Sequence, residues 1–566
     1  MNSNGAQGVI AHYDVVVVGA GLGGIYAVHR FTQQGLSTLC LERAAGVGGV
    51  WRHNAYPGAR VDIDSIDYCY HFSPEIYREW TWKERNASQP ELLNYLNFVT
   101  DRLDLRRHMR FNSPLTDAVW DPALSCYRIK YGDGHEATAR FLVLATGNLS
   151  EPRRPPFEGL DDYEGEWVQS SRWPDREIRF KGRRIAVVGA GSSAVQAIPV
   201  LAEQAEHLYV FQRTAHFSAP AHNGPMDAQR HAALATDVPA RRAYLFGTPA
   251  GLGGPASPAR RFSEYGSDER HSRLERAWAS DGLAMSGVFA DQHTDKSVND
   301  VVSEFVRNKV RAIVKDPVLA EKLCAKRYSL GTRRMCRDTN YYETYNLENV
   351  SLVDVSADPI KRISRTGIET ETSEYDVDLI IFAIGFQAFT GAWNGINIRN
   401  AQGARPTDSW ERGPRTLLGL MTGGFPNLFT ATGPGSPSNL ANLFLMNEYH
   451  MDWIADCIAY MDRNGLSMIE PGDEAIDRWG EITAQAASRL LRLQQDNYMV
   501  HVNSDGTRVF IPYTGGFGKY IEQADEIAAN DYAGFVFDGR RNREVREPTL
   551  RAQALHPEAT PANWFE

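Results

Sequence analysis

Cysteine is scarce in this chain. Its 566 residues hold 6, at Cys40, Cys69, Cys126, Cys324, Cys336 and Cys457, and no two form a CxxC pair. That spacing speaks against a disulfide framework, and scattered single thiols fit a reducing cytoplasm. Basic charge is in deficit as well: 60 Lys and Arg against 70 Asp and Glu leave a net charge of −10. A nucleic-acid binder needs the opposite balance, so none is expected. Any anionic ligand must be met by local arginines, helix ends or backbone N–H groups. Long apolar runs are missing too. VDLIIFAIGF, ending at Phe386, is far too short to cross a bilayer and reads as a buried strand. The opening MNSNGAQGVIAH has no basic segment followed by an apolar one, so no secretory leader and no membrane span are expected. The hydrolase elbow GxSxG is absent, and GPGSPSN does not fit it.

What is present is ordinary globular composition, 43% hydrophobic and 23% charged, over a length that suggests three or four domains. YDVVVVGAGLGGIYAVHRFTQQGLSTLCLE reads as a βαβ unit. An apolar strand, Val15 to Val18, enters a glycine turn; a helix carries Ile25, Val28 and Phe31 at helical spacing; Gly35 ends it; a second strand runs from Leu36 to Leu41. Gly19 permits the turn, Gly21 lets a pyrophosphate approach the backbone, and Gly24 lets helix pack on strand. Glu42 closes the second strand where a carboxylate can accept bonds from a ribose diol.

A second unit reads GRRIAVVGAGSSAVQAIPVLAEQAEHLYVFQRT, with strand Ile185 to Val188, turn residues Gly189 and Gly191, and a helix opening at Ser192, Ser193 and Gln196. Its second strand ends without an acid. Arg213 and Thr214 stand there instead, and a guanidinium grips a 2′-phosphate that a carboxylate would repel. The first site should therefore hold FAD, and the second should prefer NADPH to NADH. Disulfide reductases share this architecture but need a cysteine pair beside the flavin. Oxygen-activating flavoenzymes do not.

Several further stretches carry a family resemblance. YEGEWVQSSRWP offers Gly165, Trp173 and Pro174, and GGVWRHNAYPGARVD offers Gly48, Gly49, Trp51, Tyr56, Pro57, Gly58 and Asp62. Together with WTWKERNASQPELLNYLNFV, GTRRMCRDTNYYETYN and GPGSPSNL, these resemble the signatures of Baeyer–Villiger monooxygenases, with the phenylacetone and steroid monooxygenase branch most similar in pattern. The resemblance runs from about residue 13 to 538. It implies FAD, NADPH retained as NADP⁺, O₂ as co-substrate, a peroxide anion formed on the flavin, and a small-molecule ketone converted to an ester or lactone. It also implies that Arg334 is the active-site arginine, held by Asp62. Arg333 would join Arg213 at the 2′-phosphate, and Tyr68 and Gly49 would border the flavin. Pro437, Ser438, Asn439 and Leu443 would border the substrate. Gln169 replaces the family's motif histidine. Because glutamine bonds in both directions but does not titrate, it is expected to latch backbone groups across a domain junction, with Trp167 and Trp173 buried as anchors. Asn497 takes the family's tryptophan position, so a looser lid over the nicotinamide nucleotide is expected.

The expected fold is α/β: two Rossmann-like dinucleotide-binding domains with a helical insertion. Boundaries are drawn at 1–148 and 387–540 for the FAD domain, 149–222 and 333–386 for the NADPH domain, 223–332 for the insertion with a mobile Gly/Pro-rich loop, and 541–566 for a tail. A cytoplasmic monomer or weak oligomer is expected. A heteroatom oxygenase and an uncoupled NADPH oxidase or flavin-binding scaffold stay open beside the ketone reading.

Overall fold

A computed structural model of the protein describes residues 10–254, 260–280, 282–538 and 540–541. The tail beyond 541, the first nine positions and the centre of the Gly/Pro-rich loop lie outside the described residues.

Two mostly parallel sheets organise the chain. In the first, Ala11–Val18 lies between Thr38–Leu41 and His135–Leu144 and pairs with both in parallel. The strand Val15 to Val18 is apolar at every position because both of its faces are covered. Val15 and Val17 point into one core cluster with Ile25, Val28 and Phe31 of the helix Leu22–Gln33, while Val16 and Val18 point into another with Leu39, Leu41 and Tyr127. The helix has no side-chain bond at its N-cap, Gly21, so its anchorage comes from this face. Burying a side chain such as Val28 or Phe31 contributes roughly 1.5–3 kcal/mol. The edge of His135–Leu144 away from Ala11–Val18 is used twice. Its first half forms an antiparallel ladder with Cys126–Tyr131, and its end takes the late strand Leu428–Thr430 in parallel. Residues far apart in sequence thus complete one sheet.

The second sheet is wholly parallel, in the order Val350–Asp354, His207–Gln212, Arg184–Val188, Leu379–Phe382, Glu166–Gln169. The two apolar stretches FLVLATGNL and VDLIIFAIGF do return into the two sheets, Phe141 to Leu144 beside Val15 to Val18 and Leu379 to Phe382 beside Ile185 to Val188. Alternate residues again divide between two cores, Ile185 and Val187 on one side, Ala186 and Val188 on the other.

Glu166–Gln169 is an edge strand, and that overturns one expectation. Successive side chains alternate across the sheet, so Val168 is buried while Trp167 points outward and is 40% exposed. Trp167 meets the edge of Phe382 and, exposed on the outer face, is not a buried anchor. Trp173 is half-buried against Phe180.

Between Pro220 and Cys336 the chain is largely helical. Its longest helix there, Lys296–Ile313, is capped by the Asp295 carboxylate, which accepts from Ser297 N at 2.8 Å. It buries Val298, Val302, Val306 and Val310, one residue per turn. The long helix Leu443–Arg463 is buried along most of its length and lies against the first helix, where Arg30 bonds Asp452 and Asp456 at 3.0 Å each.

Candidate active site

The two glycine turns form matching cradles. At Gly19, φ is +100° and a Cβ would stand 2.8 Å from Ala145 O; at Gly24 a Cβ would overlap Gly19 O at 1.7 Å. Neither position admits a side chain. Gly49, at φ +55°, faces Gly21 across the cradle, and a Cβ there would stand 3.0 Å from Gly21 Cα. The turn opens into a cavity of about 340 Å³ lined by Gly19, Gly21, Glu42, Gly49, Asn148 and Leu443, among others. Glu42 is buried and oriented by its neighbours: Oε2 accepts from Ala20 N and Oε1 from Ala44 N, both at 2.7 Å. Asn54 also lines the cavity, and its Oδ1 is a buried acceptor with no partner. The narrow glycine floor, the fixed acid and the orphaned acceptor together fit a dinucleotide of FAD's shape.

The second cradle repeats the logic. Gly189 has φ +127° with a Cβ position 2.4 Å from Ala383 O, and Gly191 caps the helix Ser192–Ala202 without a side-chain bond. The first-turn N–H groups at Ser192 and Ser193 are therefore available to an anion. Arg213 is exposed and Arg333 rests over the Tyr328 ring, 4.7 Å from its centroid. Neither has a carboxylate within ion-pair distance among the described residues. An anion-ready turn, with two arginines in this domain that have no carboxylate partner, fits a phosphorylated nucleotide such as NADPH. Gln196 is engaged elsewhere: its Oε1 accepts from Tyr56 OH at 2.8 Å and its Nε2 donates to Arg60 O at 3.1 Å. That side chain joins the second cradle's helix to the loop leading to Asp62.

Asp62 and Arg334 meet as a bidentate pair where these parts converge. Arg334 Nε donates to Oδ2 at 2.5 Å and Nη2 to Oδ1 at 3.0 Å. A third group, missed in the sequence, completes the hold: Arg337 Nη1 donates to the Asp62 carbonyl at 2.8 Å. Burial works to raise the Asp62 pKa, but the Arg334 and Arg337 charges and hydrogen bonds overcome it, and the net shift is downward. The Asp62 charge in turn raises the Arg334 pKa above its already high ordinary value. The cation is therefore fixed, yet 40% of its side chain remains accessible. Tyr68, within the field of both groups, accepts from Trp51 Nε1 at 3.2 Å, which links the pair to the glycine loop at Gly49.

The GPGSPSNL loop faces the same region. Pro437 and Ser438 are buried, and Asn148 Nδ2 bonds Ser438 Oγ. Asn439 Nδ2 donates to Tyr498 OH at 2.9 Å. Of the four residues suggested for the substrate wall, Leu443 lines the glycine-floored cavity assigned above to the flavin nucleotide. Asn497 is engaged within its own turn. Its Nδ2 donates to Arg492 O at 2.8 Å and Gln495 O at 2.9 Å, and its Oδ1 accepts from Met499 N at 2.9 Å, so it closes a local turn. The aromatic group at this place is its neighbour Tyr498, whose phenol lies in the field of Arg334 and Arg492.

The linker motif ties these parts together. At Gly165 a Cβ would meet the Tyr163 ring, whose hydroxyl donates to Val377 O at 2.8 Å. Gln169 Nε2 donates to Arg153 O at 2.8 Å, and Trp173 N donates to His53 O at 2.8 Å, at the end of the short helix after Gly49. Arg153 N and Nε donate to Gly385 O and Phe386 O, so Arg153 joins the two connections between the sheets and Gln169 fastens the end of the edge strand to that junction. All six cysteines are free and buried, and the described residues contain no cluster of His, Cys, Asp or Glu able to hold a metal.

Comparison with known proteins places these features in context. A family model described as pyridine nucleotide-disulphide oxidoreductase matches residues 13–237. A 2-oxo-Δ³-4,5,5-trimethylcyclopentenylacetyl-CoA monooxygenase from Pseudomonas putida is 38% identical over 535 residues, covering 92% of this chain and 98% of that one. A Baeyer–Villiger monooxygenase from Pseudooceanicola batsensis is 35% identical, covering 93% and 97%. A solved structure of an oxidised steroid monooxygenase bound to NADP superposes with a TM-score of 0.89 at 45% identity, covering 93% of this chain and 99% of that one.

Proposed function

This chain belongs to the Baeyer–Villiger monooxygenases, and we infer from that premise that it is an FAD-dependent, NADPH-consuming enzyme that converts ketones to esters or lactones. The observation carrying the residue-level reading is the bidentate Asp62–Arg334 pair beside two glycine cradles. Bound FAD and NADPH would supply hydride transfer and activation of O₂. The remaining work falls to the protein.

Glu42 would hold the flavin nucleotide's ribose through the lone pairs that Ala20 and Ala44 leave free. Gly19, Gly21 and Gly49 would give the pyrophosphate room against the backbone. Arg213 and Arg333 would grip the 2′-phosphate of the second nucleotide, selecting NADPH. Arg334 would stabilise negative charge developing beside the ketone carbonyl. With its pKa raised by Asp62, it cannot release a proton to quench that charge, which an acid such as a protonated histidine would do. Asp62 would orient the fork, and Arg337 would fix Asp62. Pro437, Ser438, Asn439 and Leu443 would form part of the wall that positions the ketone, while Gln169 would act as a latch between the two sheets' connections.

No helix among the described residues is long and apolar enough to cross a membrane. The test is product analysis with NADPH, O₂ and a panel of cyclic, arylaliphatic and steroidal ketones, with a thioether alongside. Ester or lactone formation with matched NADPH consumption is expected. Sulfoxide alone would favour heteroatom oxygenation, and hydrogen peroxide with no oxygenated product would reduce the chain to an NADPH oxidase.

A further inference from the structure

Arg334 is not the only cation in this region. Arg492 lies in the short 3-10 turn Leu491–Gln494, whose seat is fixed from both sides. Leu491 N donates to His293 O at 2.9 Å, and Gln495 Oε1 accepts from Ser329 N and Thr332 Oγ1 at 2.8 Å each. The turn is thereby tied to the helical insertion and to the segment that runs into Arg334. Asn497 adds its bond to the Arg492 carbonyl.

The Arg492 side chain is treated differently from its backbone. Among the described residues its guanidinium makes no hydrogen bond and no ion pair; it rests 5.9 Å from the Phe510 ring centroid and is half-buried. Partly burying a cation without a counter-ion costs free energy, and that burial lowers its pKa. Arg334 has Asp62; Arg492 has no equivalent. Both cations act on the same phenol, Tyr498, which accepts from Asn439 Nδ2. Asn439 Oδ1 is itself buried with no partner. The Phe389 ring lies nearly parallel to that of Tyr498, at 13° and 6.4 Å. One neutralised cation, one bare cation, an unused amide oxygen and an aromatic wall thus surround a single phenol.

Resting on the function proposed above, we propose that Arg492 is an anion subsite of the substrate pocket and that the natural substrate class is a ketone bearing a carboxylate, with the carboxylate on Arg492 and the carbonyl toward Arg334. The oxo acid, O₂, NADPH and a proton would give the ester or lactone acid, NADP⁺ and water. One oxygen atom enters the bond between the carbonyl carbon and its neighbour, the other leaves as water, and NADPH supplies the electron pair as hydride. The carboxylate is unchanged and serves only to orient.

The experiment uses the holoenzyme with a matched pair, a cyclic ketone carrying an acetate side chain and its methyl ester. Two quantities are read: the kcat/KM ratio for acid over ester, and equilibrium binding of each compound to the NADP⁺-bound oxidised enzyme by calorimetry. A charge-assisted contact predicts that wild type binds the acid at least about 10-fold tighter than the ester, and that Arg492→Gln abolishes this preference. Arg492→Lys should restore part of it, separating charge from packing, and raised salt should weaken the acid more than the ester. Equal binding of acid and ester by wild type would overturn the proposal. So would an Arg492→Gln variant that weakens NADP⁺ to the same degree with and without the acid, because the cation would then serve the nucleotide. If neither ketone yields ester while the acid still binds selectively, the oxygenation reading fails and the subsite stands.

Discussion

Substitution of Arg334 separates what the cation does for oxygen transfer from what the cradles do for hydride transfer. A guanidinium carries five N–H donors. Nε and one N–H of Nη2 are committed to Asp62, so three donors remain to face the pocket. Arg334→Lys keeps the charge but offers one nitrogen on a flexible stem, which has to choose between Asp62 and the reacting oxygen. Arg334→Ala removes both charge and donors and leaves the Asp62 carboxylate without its main partner. Loss of one preorganised donor at a developing anion costs about 3–4 kcal/mol, or roughly 10²–10³ in kcat. Arg334→Ala should therefore lose ester formation by at least that factor, with Arg334→Lys only partly better. Neither variant touches the glycine turns, Glu42 or Arg213, so anaerobic flavin reduction by NADPH should stay within a few-fold of wild type. The assay is stopped-flow bleaching of the flavin band beside chromatographic quantification of ester from the same preparations. Ester formation by Arg334→Ala within about 10-fold of wild type would refute the reasoning, because oxygen transfer would then not depend on the donors that Arg334 supplies.

The other expectations concern the supports of that cation. Asp62 has a depressed pKa, so its pairing is intact at and above the ordinary carboxylate range and is lost only as pH falls below it. Asp62 should therefore contribute no acid limb to the pH–rate profile near neutrality, and Asp62→Asn should lower ester formation at every pH from 6 to 9. Arg213→Gln should cut the preference for NADPH over NADH about 10- to 100-fold, measured as the ratio of flavin-reduction efficiencies, as expected for a lost charge-assisted contact. Gly49→Ala places a Cβ 3.0 Å from Gly21 Cα at a φ of +55°, so the purified variant should carry less flavin per chain by absorbance. Buried Asp338, bonded to Ser218 Oγ at 2.5 Å, has its pKa raised by burial to about 6 from 3.8. The folded state holds that proton where the unfolded chain has lost it, so this group's contribution to stability falls as pH rises between those values. Asp338→Asn should flatten that part of the denaturation-midpoint profile.

Much of this was legible in the sequence because periodicity and glycine placement are local signals. Val15 to Val18 reads as a doubly covered strand from its unbroken apolar run, and Gly19, Gly24 and Gly189 read as cradle residues because no side chain fits their geometry. Pairings across long separations were not legible. Asp62 and Arg334 are 272 residues apart, and only the family resemblance joined them before the fold did. Arg337 was hidden for the same reason, since nothing in RRMCRD tells which arginine reaches the side chain of Asp62 and which its carbonyl. The Trp167 error has a different cause. Tryptophan content suggests burial, but in a strand the face is set by register, and Val168 at the neighbouring position already occupies the core side. Local chemistry named the residue types a site needs, and register decided which of two neighbours supplies them. The functional reading survives these shifts because it depends on Arg334 keeping both its carboxylate and its open donors, and neither condition turns on a single strand's register.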